Sequence, residues 1–190
     1  MVIIHKTPTK TKTATMPVTL AQAKKQCQIE TDFTDDDAHI TELIEDAIAI
    51  IEQNTKSDVL DTTNVLEYEI SAEGIQTLYR IMQSPLQSFT KLEAYANNAY
   101  TDVPAASYKV TEGFNNFEVE ITGSVSATKL RFTFKTGYET AAKTPKPIKR
   151  AALVKVADLF YPERTSYTPG QPMKNTLYND LIAPHIRRFW

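Results

Sequence analysis

The chain has 190 residues, which suits one domain or one domain carrying an inserted subdomain, and its 42% hydrophobic and 23% charged residues are those of an ordinary globular protein. No apolar run approaches the roughly 18 residues of a membrane helix, and the single cysteine, Cys27, leaves neither an intrachain disulfide nor a cysteine-based zinc site. The formal net charge of −2 conceals two blocks: nine acids without a Lys or Arg between Gln26 and Thr55, and twelve Lys and Arg against four acids from Lys129 to Trp190. Such asymmetry concerns either partners or the packing of the two segments on each other.

Residues 1–17, "MVIIHKTPTKTKTATMP", read as an extended Thr-rich arm; three consecutive apolar residues are too few for a signal peptide, and the lone cysteine fits a reducing cytoplasm. The body spans residues 18–190. In "VTLAQAKKQCQI" Thr19 is a candidate N-cap, with Leu20, Ala23 and Cys27 on one side of a short amphipathic helix. A second helix is predicted from Thr34 to about Thr55. Ile40, Leu43, Ile44, Ala47, Ile48, Ile50 and Ile51 fill one side of it, and Glu42, Glu45, Asp46, Glu52 and Gln53 fill the other.

After Lys56 the period changes to two. The runs "VLEYEI", "QTLYRIM", "FTKLEAYA", "SYKVTE", "NFEVEIT" and "KLRFTFKTGY" predict about six antiparallel strands over residues 63–138. Pro147 then opens a third helix, "IKRAALVKVADLFY", bounded by Pro162; its scattered charges leave no clean polar side, so it calls for cover on most sides, which a subunit interface could supply. A last helix is predicted from Asn175, interrupted near Pro184. The expected fold is therefore α+β: a bundle of about four helices (residues 18–56 and 147–190) with an inserted antiparallel β subdomain between the second and third.

The chemistry-bearing stretch is "FTDDDAHITELIED", residues 33–46. Asp35, Asp36 and Asp37 point about 100° apart on a helix and cannot converge on one ion, although Asp35 and His39, four apart, could. An EF-hand loop would need alternate acids followed by Gly. Thr34 as N-cap with Asp37 at the third helical position fits a capping box instead, each carboxylate contributing roughly 0.3–1 kcal/mol at the positive helix end. His5, His39 and His185 form no zinc spacing, the five glycines fall in no nucleophile elbow or phosphate loop, and no metal or cofactor is expected. A small metal-dependent hydrolase using Asp35, Asp36 and His39 is the enzymatic alternative to a chain with no catalytic centre.

Several ordered pieces carry a resemblance: Leu-x-x-Ala-Lys at Leu20–Lys24, the acidic helix start "DDDAHI", Pro85-Leu86 before a strand, Gly137-Tyr138 after the last strand, and a helix beginning P-x-x-I-K-x-A at Pro145. Over about residues 17–188 the chain resembles the head-tail connector proteins of tailed bacteriophages, and more narrowly the phiE125 gp8-like family related to the gp6-like connectors. The resemblance implies a non-enzymatic virion adaptor, assembled in the host cytoplasm. Twelve copies would form a ring under the portal, joined to a stopper or tail protein, with DNA passing through without sequence-specific binding and no membrane involved. Another completion protein of the tail or stopper is the alternative within that class. In a head-to-tail ring, Glu42, Glu45 and Asp46 are the candidates to meet Lys149, Arg150 and Lys155 of the next copy. Arg187, Arg188, Phe189 and Trp190 are the candidates for docking on the portal, with a tail folded back on its own helices as the alternative. The arm before Pro17 is longer than the family's pattern.

Overall fold

The computed structural model describes residues 2–4, 7–71, 74–161 and 176–187. It is α+β, with four α-helices and two β-sheets among the described residues. The chain divides into two compact units, one holding Met1–Ala14 and Leu60–Tyr138, the other Thr15–Val59 and Glu139–Arg187.

The first unit contains the strands β1 (Val2–Ile4), β2 (Thr9–Lys12), β3 (Thr62–Glu69), β4 (Leu78–Ile81), β5 (Leu86–Ala96), β6 (Ala99–Asp102), β7 (Tyr108–Glu112), β8 (Phe117–Ile121) and β9 (Lys129–Thr136). One sheet has the order β1-β4-β8-β7 and the other β2-β3-β9-β5-β6. The six alternating runs are all strands; β6 is a seventh, made when Asn97 and Asn98 adopt positive φ and turn "YANNAY" into a hairpin. The arm supplies two more. β2 lies antiparallel along β3, whereas β1 runs parallel to β4, so the expectation of purely antiparallel pairing fails at that edge.

Period-two alternation explains why both sheets close on one core. In β9, Leu130, Phe132, Phe134 and Thr136 are buried while Lys129, Arg131, Thr133 and Lys135 point the other way. Tyr79 of β4 meets Phe132 with centroids 5.5 Å apart, and Phe117 of β8 meets Phe134 at 4.9 Å, edge-on. Each such side chain contributes about 1.5–3 kcal/mol on burial. Gly137 ends β9 with φ +85°, and a Cβ there would lie 2.0 Å from the Leu60 carbonyl oxygen, so this turn requires glycine. Its N–H donates to the Pro85 carbonyl at 3.0 Å, which ties the Pro-Leu and Gly-Tyr pieces of the sequence together.

The second unit contains α1 (Leu20–Gln26), α2 (Asp37–Thr55), α3 (Lys146–Phe160) and α4 (Leu177–Ile182), the last continued by a 3-10 turn over Ala183–His185. Thr19 caps α1 in a full capping box with Gln22. α2 buries Ile40, Leu43, Ile44, Ala47, Ile48 and Ile51; Ile50, expected on that side, is half-buried at its margin. α3 packs against α1, α2 and α4, and every residue from Ala151 to Phe160 is at least half-buried. The cover that its sequence called for thus comes in good part from its own chain.

Candidate functional site

The aspartate run sits where α1 hands over to α2, and its geometry differs from the capping box expected there. α2 begins at Asp37, its N-cap is Asp36, and no side chain caps it; Thr34 contributes its carbonyl, which accepts from the Asp37 N–H at 3.1 Å. The reason is Lys24. This lysine is only 3% exposed, its Nζ donates to the carbonyls of Thr31 (3.0 Å) and Phe33, and it lies 2.7 Å from the Asp37 carboxylate. A buried ammonium must have every donor satisfied, so it draws in the loop and takes Asp37 as counter-ion instead of leaving that carboxylate to the helix end. The clue in the sequence was a lysine at i+4 on the apolar stripe of Leu20, Ala23 and Cys27.

Asp35 and His39 are both exposed, and the imidazole faces the Phe160 ring with centroids 6.1 Å apart. Asp36, half-buried, is the N-cap residue. Among the described residues no three His, Cys, Asp or Glu side chains are grouped to hold a metal, and no helix is long and apolar enough to cross a membrane. His5 lies outside the described residues.

Glu42, Glu45, Asp46, Ala49 and Gln53 are all exposed and, at spacings of three and four, form one outward stripe of α2. The basic residues occupy a different surface. A groove of about 490 Å³ opens between α1, α3 and α4, lined by Val18, Gln22, Gln26, Lys146, Lys149, Arg150, Leu153, Val154 and Leu177. Lys146 and Arg150 are exposed, whereas Lys149 is half-buried and its Nζ donates to the Ala141 carbonyl at 3.0 Å. Lys155, expected beside them, is outside this lining: its ammonium lies over the Tyr178 ring, 5.4 Å from the centroid.

The C-terminal segment is anchored as far as Arg187. Tyr178 accepts a hydrogen bond from Asn54 Nδ2 at 2.9 Å, Ile182 is 3% exposed, and the Arg187 N–H donates to the Thr55 carbonyl at 3.0 Å. Burial, and then the nearby Arg187 charge, lower the His185 pKa. Arg187 itself is 7% exposed; Arg188, Phe189 and Trp190 lie outside the described residues.

A second charged surface, which the sequence reading did not single out, covers the five-stranded sheet on the side away from its core. Glu93 accepts from Arg131 Nε and Nη2 at 2.8 and 2.7 Å and from Lys91 at 2.9 Å. The Arg131 guanidinium stacks 3.7 Å from the centroid of Tyr100, whose hydroxyl donates to Glu67 at 2.8 Å. Hydrogen bonds from Arg131 first, opposed by burial and aided by Lys91, lower the Glu93 pKa to about 2. Glu93 and Arg131 are direct partners of β5 and β9, a pairing set by the strand register and not by either strand's own sequence.

No family model and no curated protein matches the chain. Its fold is nevertheless shared with solved structures along almost its whole length. It is similar to a chain from the neck of an empty gene transfer agent (GTA) particle computed with C6 symmetry, with TM-score 0.74 and 15% identity over 96% of this chain and 97% of that one. It is also similar to a chain of the virion of a native GTA particle, with TM-score 0.71 and 16% identity over 95% and 96%. A chain from the neck of a native GTA particle computed with C12 symmetry gives TM-score 0.62 and 15% identity over 96% and 97%.

Proposed function

We propose that this protein is a non-enzymatic structural component of a phage-like virion, an adaptor of the head-tail neck. The observation that carries the reading is whole-length likeness in fold to chains of GTA necks, 96% of this chain at TM-score 0.74. The connector-like order of the sequence pieces supports the same reading. In this reading the helices form a small bundle carrying the β unit as an insertion between α2 and α3. Copies join head to tail into a ring, of twelve in the virion, that sits under the portal, receives a stopper or tail protein and lets DNA pass.

Opposite charges on two different faces suit heterologous contact, with Glu42, Glu45 and Asp46 on one side and Lys149 and Arg150 on the other, Lys155 being held over Tyr178 instead. Docking on the portal falls to Arg188, Phe189 and Trp190, with Arg187 holding the base of that segment against Thr55. The test is reconstitution: purified chain is mixed with portal rings and examined by mass photometry and electron microscopy. A ring of this chain on one face of the portal is expected. Absence of portal binding and of any ring, with folded protein, would refute the adaptor.

A further inference from the structure

We infer that the groove between α1, α3 and α4 is the receptor for the outward stripe of α2 from a second copy of this chain. This names the partner of the groove and rests on the adaptor reading above. Its nine lining residues include three cations and no carboxylate, on a base of Val18, Leu153, Val154 and Leu177. Leu177 is 42% exposed, a large apolar side chain left open to water beside the charges. That combination selects an occupant with an apolar or small-residue surface flanked by acids.

α2 presents such a surface. Glu42, Glu45 and Asp46 cluster toward its first half, and one turn further on Ala49 replaces a long side chain with a methyl group, flanked by the half-buried Ile50. Ala49 permits close approach of the helix backbone to Leu177 and Leu153, while the three acids reach Lys146, Lys149 and Arg150. Gln53 can exchange hydrogen bonds with Gln22 or Gln26. Groove and stripe share no residue, so occupying one leaves the other open to a further copy, the condition for a ring or helix instead of a closed dimer. Lys155, held over Tyr178, is not part of the contact.

The test is charge exchange on exposed positions, read by mass photometry of the full chain at low salt, with circular dichroism to confirm folding. E42K/E45K and K146E/R150E should each weaken self-association by about tenfold or more, because like charges are brought together. The four substitutions combined in one chain should restore it. A photo-crosslinking residue at Ala49 should join the next copy within residues 18–26, 146–154 or at 177. Rings that persist in both charge variants, or crosslinks to another surface, overturn the groove contact and leave the adaptor reading standing. Folded wild-type protein that forms no assembly, alone or on the portal, overturns both.

Discussion

Replacing Glu93 by Gln tests the charged layer over the five-stranded sheet. The carboxylate is held by a two-pronged Arg131 and by Lys91, and its side chain is 6% exposed. Its pKa falls from 4.5 to about 2, which corresponds to roughly 3 kcal/mol of favourable interaction for the ionised form. A carboxylate with a depressed folded-state pKa contributes stability that is fully present above its unfolded value near 4.5 and is lost as pH falls through about 2. In E93Q the partners, 27% and 43% exposed, regain water, so the loss expected at pH 7 is about 1–3 kcal/mol. The assay is urea unfolding by circular dichroism for both proteins between pH 7 and pH 2. The gap between them should narrow below pH 4.5. Equal stability at pH 7, or a gap that does not change down to pH 2, would refute the assignment.

Lys24→Met should cost about 1–3 kcal/mol, because the carbonyls of Thr31 and Phe33 lose their donor, and hydrogen exchange should rise first in residues 28–36. If that loop keeps its protection, Lys24 is not what holds it. Gly137→Ala, which places a methyl group 2.0 Å from the Leu60 oxygen at φ +85°, should cost about 2 kcal/mol or more in a thermal melt; an unchanged melt contradicts the close approach. The triple variant D35A/D36A/H39A should lower stability by less than about 1 kcal/mol and leave assembly on the portal intact, whereas loss of a metal-dependent activity from the folded protein would revive the hydrolase.

Local periodicity made much of the fold legible. The spacing of Ile40, Leu43, Ala47 and Ile51 identifies α2, and alternation in "KLRFTFKT" identifies β9 together with its inward face, because each pattern reports the geometry of one element. The surplus of acid on α2 was equally visible, since exposed side chains need no partner to be recognised. What the sequence could not supply was anything set by residues distant along the chain. The arm carries no strand period of its own, and it becomes β1 and β2 through the edges that β4 and β3 offer it. The aspartates look like a capping box until the buried ammonium of Lys24 claims Asp37, an electrostatic demand made across thirteen residues and invisible to helix-end rules. Likewise Lys149 and Arg150 read as scattered charges around α3 because a groove exists only where α1 and α4 wall it. Burial, which ranks one contact above another for the same side chain, is a property of packed elements, and tertiary structure alone decides it.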